Sequence, residues 1–423
     1  MGKLIRTGKR INEKTQKMIK ELGRDMKSES RLAAIQALIP LGLEAVQREL
    51  QLEIQELIGQ RYSRGGDVKR WGENPGSVYL GDQKVKVPVP RIRNIQTNEE
   101  VPLLSYDRLQ SPQLIDDMVL SRVIHGISQR NYETVALQVP ETFGIKKTSV
   151  CRRFIRASAK KLREFMERDL SGYDIVAIFI DGKFLAENEI VIALGVTMKG
   201  EKVLLGFVET STENHIICKQ FLNGMRDRGL NLENEILFIL DGGKGLYKGV
   251  KSVMGEKAVI QRCQWHKREN VVSYLDKDLQ KFFRRKLQTA YEQPTYDKAK
   301  KRLDSVKKEL RLINQSAVAS LEEGFEETLT LHQLGMFAKL GESFKTTNCI
   351  ENVNRQLGMH TDRIDYWQNS DQRQRWVATT MLEIESRLNI VKGYKFINEL
   401  RFAMKIFVAN REMKKQSDFE CAS

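Results

Sequence analysis

Two short apolar runs, each followed by an Asp-Gly pair, constrain the fold of this chain more than any other feature. The first is IVAIFI at Ile175–Ile180, which ends at Asp181, and the second is ILFIL at Ile236–Leu240, which ends at Asp241. Short apolar runs bounded by turn residues are typical of strands buried on both faces of a sheet. If the two strands are neighbours, their aspartates meet at one edge of that sheet.

The sequence around these runs predicts a mixed α/β domain. Further strands are predicted at Glu189–Val196 and Lys202–Val208, with a turn between them at Met198–Gly200, and another strand starts at Ala258–Ile260. Helices are predicted at Asn214–Arg228 and Gly245–Met254. Their order is β-β-β-α-β-α-β, which does not alternate as a fully parallel sheet would. After His266 the apolar spacing is helical, and it includes charged helices at Lys277–Tyr291 and Lys298–Asn314 and a later one at Trp376–Leu388.

The two aspartates suggest a metal site. Carboxylates that converge at a sheet edge repel each other unless divalent cations lie between them. Oxygen ligands of this kind suit Mg²⁺ or Mn²⁺. The glycine after each aspartate allows a substrate or backbone to come close. The alternative is that Asp-Gly after a strand is ordinary turn chemistry.

A third ligand is less well defined by the residues alone. Glu351 lies in a predicted helix that Thr346, Thr347 or Asn348 could cap, and it shares a helical face with Asn354 and Arg355. Glu342 is a competitor in a less regular stretch. The sequence pattern favours Glu351 only modestly over Glu342.

The N-terminal half combines helices with a small β element. Helical periodicity extends over 30–58, where Pro40 and Gly42 predict a break. The stretch 61–94 predicts a β-hairpin with a basic face. We expect this face to contact DNA, although a solvated β face explains it equally well. Its candidate DNA-binding residues are Lys69, Arg70, Arg91 and Arg93.

A helix-turn-helix is predicted in the same half of the chain. A first helix is expected around Tyr132–Leu137 and a turn near Gly144, and Thr148 or Ser149 would cap the second helix. The second helix could lie in the major groove of DNA. Its candidate contacts are Arg152, Arg153 and Arg156. The alternative is a basic surface on a helical linker.

Charge and cysteine content narrow the class of partner and the compartment. Lys and Arg total 70 against 55 Asp and Glu, which gives a formal net charge of +15 and favours a polyanionic partner. The five scattered cysteines do not indicate a disulfide framework. Neither a signal peptide nor a membrane span is predicted, so we expect a cytoplasmic, nucleoid-associated protein.

Two local motifs carry weaker signals. Cys263 and His266 form a Cys-x-x-His pair, but two ligands are too few for structural zinc. Trp265 between them either stacks on a base or packs in the core. The glycine-rich run at 242–245 lacks the ending of a nucleotide-binding loop, and Lys244 and Lys183 remain candidate phosphate contacts.

In combination, these motifs resemble the Mutator-type DDE transposases of bacterial insertion sequences. The likeness extends from about Leu32 to about Leu400 and includes the Asp-Gly pairs, the hairpin ending in PVPRIRN, Gly126–Gln129, Cys263–His266 and Asn348–Asn352. The resemblance implies an RNase H-like core interrupted by an all-helical insertion. It also implies that Asp181, Asp241 and Glu351 are the catalytic, metal-binding residues.

The resemblance further implies the reaction. Two Mg²⁺ or Mn²⁺ ions about 3.5–4 Å apart would assist hydrolysis at the transposon ends, and the freed 3′-hydroxyl would then join target DNA. In that family a Cys-x-x-His pair lies near the active site, so we expect Cys263 and His266 to act as active-site support, either by supporting the core or by positioning DNA. The partners are then double-stranded DNA and further copies of the chain, as a homodimer or larger assembly, with neither a membrane nor a nucleotide cofactor.

The predicted organisation has five segments. They are a helical region with a β-hairpin at 1–110, a helix-turn-helix-like region at 111–170, the first part of the catalytic core at 171–265, the all-helical insertion at 266–341, and the rest of the core with a helical tail at 342–423. Two rival functions stay open, a nuclease without strand transfer and a DNA-binding regulator whose acidic residues are structural.

Overall fold

The chain divides into two compact units, residues 1–157 and residues 158–423. The computed structural model describes residues 28–59, 67–80, 83–110, 113–127, 129, 146–211 and 214–422. It has helices and two sheets, which confirms the mixed α/β class. No helix in these ranges is long and apolar enough to cross a membrane.

The first described element of the first unit is a long helix, α1 (Ser28–Ile58). It is continuous, so the predicted break at Pro40 and Gly42 is wrong. A proline removes only one backbone hydrogen bond from a helix, and the remaining turns of a helix of this length can outweigh that loss. Farther along α1, Val46, Leu50 and Ile54 are buried at helical spacing.

A β-hairpin packs against α1 and confirms the prediction for this stretch. Its strands are β1 (Val68–Leu80) and β2 (Gln83–Asn94), which pair in antiparallel fashion, and the short β3 (Glu100–Val101) pairs with β2. Alternate residues such as Val87 and Val89 face the apolar side of α1. Lys86 and Pro88, which alternate with these residues along β2, are exposed on the opposite face of the hairpin.

Within the described residues three more helices follow, α2 (Leu104–Leu109), α3 (Gln113–Ile124) and α4 (Lys147–Met166). The second helix of the predicted helix-turn-helix is thus present as α4. It begins at Lys147, so Thr148 and Ser149 lie in its first turn and do not cap it. The expected first helix at Tyr132–Leu137 and the turn near Gly144 lie outside the described residues.

The second unit contains a five-stranded sheet with the predicted order of elements. Its strands and their crossover helices are β4 (Ile175–Leu185), β5 (Asn188–Thr197), β6 (Lys202–Thr210), α5 (His215–Asp227), β7 (Ile236–Leu240), α6 (Lys244–Met254) and β8 (Ala258–Arg262). The strand order is β6-β5-β4-β7-β8. The first three strands are antiparallel, whereas β4, β7 and β8 are parallel.

Helices cover both faces of this sheet, which explains why its strands are apolar without alternation. Ile178 and Ile180 of β4 pack on the side of α5 and α6. Ala177 and Phe179 point to the opposite side, which is covered by helices from the C-terminal part of the chain. By the same alternation, the residue after Ile180 points to that second side.

The segment after β8 is helical, as its periodicity predicts. It contains α7 (Gln264–Ser273), α8 (Lys277–Tyr291), α9 (Tyr296–Arg311), α10 (Gln315–Glu322), α11 (Thr330–Gln333) and α12 (Phe337–Phe344), with a 3₁₀ turn at Glu326–Leu329. Helices α7 to α10 enclose a core of their own, which includes Phe283, Leu303 and Leu321.

The last helices return to the sheet. They are α13 (Asn348–Thr361), α14 (Ser370–Glu385) and α15 (Ile397–Ala422). Ile350, Val353 and Leu357 of α13 belong to the same apolar cluster as Phe179. The helix that carries Glu351 therefore packs on the side of the sheet to which the residue after Ile180 points.

Candidate active site

Asp181 and Asp241 are brought together by the register of two parallel strands. Ile180 of β4 is opposite Leu240 of β7, so the two aspartates that follow are neighbours on the same side of the sheet. The expectation that the strand ends at Asp181 is wrong. Strand β4 continues to Leu185, and Asp181 pairs with Ile192 of β5. Only Asp241 follows the end of its strand, so turn chemistry does not account for Asp181.

Asp181 lies in an environment that disfavours its negative charge. The residue is 8 % exposed. Burial is the largest cause that raises the pKa of this carboxyl to about 7, and the charges of Asp241 and Glu351 raise it further, while His266 acts in the opposite direction. Asn354 of α13 donates a hydrogen bond of 2.8 Å to Asp181 Oδ2. A bound cation would relieve this cost, and the hard oxygen donors fit Mg²⁺ or Mn²⁺.

Glu351 approaches the aspartates from the first turn of α13. Thr347, the residue at the N-cap of this helix, makes no side-chain cap bond. Its hydroxyl donates instead to Glu351 Oε1 at 2.5 Å. The carboxylate of Glu351 also lies 4.0 Å from His266 Nδ1. Glu351 is therefore held by neighbours that belong to the same site.

The competing glutamate has different surroundings. Glu342 lies in α12, where its exposed carboxylate pairs with Lys392. Glu351, by contrast, is close enough to Asp181 to affect the pKa of that residue. The geometry therefore favours Glu351 as the third acidic residue. We refer to Asp181, Asp241 and Glu351 as the carboxylate cluster.

Cys263 and His266 lie directly beside this cluster. The backbone N–H of Cys263 donates to the carbonyl of Leu240 at 2.8 Å, which places the thiol next to the strand that precedes Asp241. The hydrogen bond with Cys263 and the charges of Glu351 and Asp241 raise the pKa of His266 to about 9, against the effect of burial. His266 thus supplies positive charge to an acidic site.

Cys263 is itself held by several donors. Its Sγ accepts from the backbone N–H of His266 at 3.5 Å and from that of Thr347 at 3.4 Å, and it lies 3.3 Å from the Thr347 hydroxyl, whose proton is donated to Glu351. Burial raises the pKa of this thiol, but the hydrogen bonds from His266 and Thr347 outweigh burial and lower it below its usual value. The thiol and the imidazole of this pair therefore interact electrostatically with each other beside the carboxylate cluster.

A further carboxylate near the cluster was missed by the sequence interpretation. Glu189 of β5 lies over Gly182, where an added Cβ would stand 2.0 Å from Glu189 Oε1. Burial, followed by the charge of Asp241, raises the pKa of Glu189. The only available signal was a glutamate at the start of an apolar strand. A side chain at position 182 would displace this carboxylate.

The loop after Asp241 is fixed by backbone conformation. Gly242 has a φ of +117°, and a Cβ on it would meet the Arg262 guanidinium at 2.4 Å. Arg262 donates to the carbonyls of Gly242 and Glu323 at 3.0 Å each. Asp241 Oδ1 accepts from the N–H of Gly243 at 2.9 Å. The helical segment is thereby tied to the loop that follows Asp241.

The candidate phosphate and base contacts around the site differ in availability. Lys244 is 84 % exposed at its side chain and lies 3.8 Å from Glu323. Lys183 is half-buried beside Gly358 of α13. Trp265 is 44 % exposed and meets the His266 ring edge-on at 4.8 Å. Its exposure rules out the packed-core interpretation and leaves base stacking as the prediction.

In the first unit, the predicted basic residues of the hairpin flank an aromatic ring. Trp71 is 44 % exposed. Lys69 Nζ and the Arg93 guanidinium lie 4.8 and 4.9 Å from the centre of its ring. Arg91 makes a bidentate ion pair with Glu100, at 2.7 and 2.8 Å. Arg70 donates to Gln51 at 3.3 Å. We call β1 and β2, with these residues, the basic hairpin.

The three arginines of α4 also differ from one another. Arg152 is exposed. Arg153 is buried and its guanidinium lies 5.4 Å from the Tyr79 ring. Arg156 pairs with the buried carboxylate of Asp116, with one contact of 2.8 Å. The structure therefore leaves Arg152 better placed for a ligand than the other two.

Comparison with known proteins assigns the family. The family model described as "Transposase, Mutator family" matches residues 15–388. The fold and the site define a mixed α/β protein with carboxylates at the edge of a sheet. The match to the family model shows that this chain belongs to the Mutator family of transposases. The resemblance inferred from the sequence motifs is confirmed.

Individual relatives agree with this assignment. The chain is 24 % identical over 327 residues to the transposase for insertion sequence element IS905 of Lactococcus lactis subsp. lactis (strain IL1403), covering 75 % of this chain and 78 % of the relative. It is 24 % identical over 335 residues to the transposase for insertion sequence element IS256 in transposon Tn4001 of Staphylococcus aureus, covering 74 % and 80 %. It is 22 % identical over 389 residues to the transposase for insertion sequence element IS406 of Burkholderia multivorans (strain ATCC 17616 / 249), covering 86 % and 97 %.

Proposed function

We propose that this chain is an insertion-sequence transposase that cuts DNA at transposon ends and joins them to target DNA at the carboxylate cluster. The observation that carries the proposal is the position of Asp181, which is buried beside Asp241 on a neighbouring parallel strand and has Glu351 close by. Carboxylates this close are costly in a purely structural role. The cost therefore favours the enzyme over a DNA-binding regulator.

We infer that the second unit has an RNase H-like core. The strand order β6-β5-β4-β7-β8, with three antiparallel strands followed by two parallel ones, supports this inference. The helical segment between β8 and α13 would be the insertion that separates Glu351 from the two aspartates in sequence. Its tie to Gly242 through Arg262 would keep it in place beside the site.

Asp181, Asp241 and Glu351 would hold two Mg²⁺ or Mn²⁺ ions. When bound, such ions supply activation of the attacking oxygen and stabilisation of the leaving 3′ oxygen. The residues of this chain do the positioning. Asn354 orients Asp181, Thr347 orients Glu351, and His266 offsets part of the negative charge of the cluster.

In each of the two proposed steps, one bond to phosphorus forms while another breaks. In the first step a water oxygen bonds to phosphorus while the bond from phosphorus to the 3′ oxygen breaks, which leaves a 3′-hydroxyl. In the second step that 3′ oxygen bonds to a target phosphorus while the target's own 3′ oxygen leaves. Because one bond replaces another, neither a nucleotide cofactor nor a covalent protein intermediate is needed.

We further propose that the basic hairpin and α4 contact DNA. Lys69, Arg93 and the exposed ring of Trp71 form a cationic and aromatic surface of the kind that binds nucleic acid. Arg152 of α4 adds an exposed cation. Joining two transposon ends requires that both be held together, so we propose a homodimer or larger assembly.

A joining assay tests this function. The full chain is mixed with a pre-cut DNA end, a plasmid target and Mg²⁺, and joined products are separated from cut products on a gel. We expect joined products, which are absent without Mg²⁺. Cutting without joining would favour the nuclease. Retention of the DNA end in a gel-shift experiment, with neither cutting nor joining, would favour the regulator.

A further inference from the structure

A second set of metal-binding side chains overlaps the carboxylate cluster. It consists of Cys263, His266 and Glu351, and one donor atom from each lies within 4.8 Å of the other two. Cys263 and His266 come from the start of α7, and Glu351 comes from the first turn of α13. The Cys-x-x-His pair alone has too few ligands for zinc, but the fold supplies a third from a distant part of the sequence.

The spacing of these atoms is close to that of a tetrahedral zinc site. Zinc bonds to sulfur, nitrogen and oxygen of about 2.0–2.3 Å place the donor atoms about 3.3–3.8 Å from one another. His266 Nδ1 and Glu351 Oε1 are 4.0 Å apart. Glu351 is half-exposed, so a shift of its carboxylate by about 1 Å would complete the geometry.

The hydroxyl group of one neighbouring residue lies close to all three donor atoms. The Thr347 hydroxyl lies 3.3 Å from Cys263 Sγ, 3.3 Å from His266 Nδ1 and 2.5 Å from Glu351 Oε1. Cys263 is fully buried, whereas His266 and Glu351 are partly exposed at their side chains, 29 % and 36 %. The donor set is thus preorganised, with an open side through which a cation could enter.

We propose that Cys263, His266 and Glu351 form a zinc site, with a fourth position open to water. Sulfur and imidazole ligands select Zn²⁺ over Mg²⁺, whereas the all-carboxylate set suits Mg²⁺. Glu351 is common to both sets, so it cannot serve both ions fully. Zinc at this site would therefore withdraw Glu351 from the carboxylate cluster and inhibit DNA cleavage. The inhibition rests on the proposed function, but the binding of zinc does not.

Cobalt provides a direct probe of this site, because Co²⁺ occupies zinc sites and absorbs in the near ultraviolet when a thiolate binds it. The full chain is titrated with Co²⁺ in the absence of DNA. We expect a thiolate-to-cobalt band that saturates at one ion per chain and disappears on addition of Zn²⁺. Cys263→Ser should abolish the band. Cys349→Ser, at a half-buried cysteine of α13, is the matched control and should retain it.

Three further variants separate this site from the carboxylate cluster and guard against misfolding. Glu351→Gln and His266→Gln keep the thiol and should weaken Co²⁺ binding at least about tenfold, since even outer-shell changes cost that much. Asp181→Asn should leave the band unchanged. Each variant is checked by circular dichroism. Absence of the band in the folded wild-type chain, or its persistence in Cys263→Ser, would overturn the proposal.

The effect of zinc on DNA cleavage is measured in a separate experiment. Cleavage in excess Mg²⁺ should fall as Zn²⁺ is added, and Cys263→Ser should need at least about tenfold more Zn²⁺ for the same fractional loss of its own zinc-free activity. A cobalt band with no cleavage under any condition would contradict the proposed function and leave the zinc site standing. Cleavage without a cobalt band would support the proposed function and contradict the zinc site.

Discussion

The carboxylate cluster and the basic hairpin carry opposite charges, and they differ in how far those charges are exposed to solvent. Asp181 is buried among other acids, and Asn354, Thr347 and His266 hold the cluster in position. Lys69 and Arg93 of the hairpin lie beside a partly exposed tryptophan. Buried charge at a fixed position suits chemistry at one atom, whereas exposed charge adds screened attraction to a long polyanion.

The largest effect is expected from Asp181→Asn. Loss of this carboxylate should reduce Mg²⁺-dependent cleavage at least about 10³-fold, because a preorganised charged group at a reacting centre contributes on that order. Binding of a DNA end, measured by gel shift, should stay within about twofold, since phosphate contacts elsewhere dominate affinity. Substantial cleavage by a folded Asp181→Asn protein would remove the cluster from the mechanism.

Asn354→Ala should have an intermediate effect. Asn354 positions Asp181 through its hydrogen bond and is not itself a proposed ligand, so a loss of about 10–100-fold in cleavage rate is expected. The matched control is Asn352→Ala on the exposed side of α13, which should cleave normally. Raising Mg²⁺ should partly rescue Asn354→Ala if its role is positioning. Equal activity of the two variants would contradict that role.

The basic hairpin should affect binding and its salt dependence. The double variant Lys69→Ala with Arg93→Ala should reduce the slope of log affinity against log salt by about 2, one for each lost phosphate contact. Arg91→Ala should change the slope less, because Glu100 already neutralises Arg91. Fluorescence anisotropy over a salt series measures both slopes. An unchanged slope in the double variant would mean that the hairpin is a solvated face.

The smallest expected effect is on stability in the absence of metal. The pKa of Asp181 in the folded chain, about 7, lies above its unfolded value of about 4, with burial as the main cause. The folded state thus holds this proton more tightly, and the resulting stability is present below pH 4 and lost as pH rises to 7. Urea unfolding with a chelator should show that Asp181→Asn gains stability relative to wild type over this interval. A pH-independent difference would contradict the raised pKa.

The sequence predicts the order of the sheet well because each strand is a short apolar run with clear boundaries. It does not predict that β4 passes through Asp181, because that depends on pairing with β5. The uninterrupted helix at Pro40 escapes prediction for a similar reason, since local breakers can be outweighed by the rest of a helix. Local sequence patterns therefore predict which helices and strands form better than they predict where each helix or strand ends.

Individual side chains are harder to assign from sequence than strands. Arg156 has the appearance of a DNA contact, but it pairs with Asp116, which lies on another helix. The sequence pattern favours Glu351 only modestly over Glu342, and the packing of α13 against the sheet is what separates them clearly. The third ligand of the proposed zinc site is likewise invisible without the fold. Contacts between distant residues account for each of these differences.

The choice between the two glutamates tests the central claim most directly. Glu351→Gln and Glu342→Gln are compared in the joining assay with a pre-cut end at saturating Mg²⁺, after both are shown to fold and to bind the end. We expect Glu351→Gln to join no DNA and Glu342→Gln, which loses only an exposed ion pair, to match the wild-type chain. Joining by Glu351→Gln, or its loss in Glu342→Gln alone, would contradict the assignment of the carboxylate cluster as the active site.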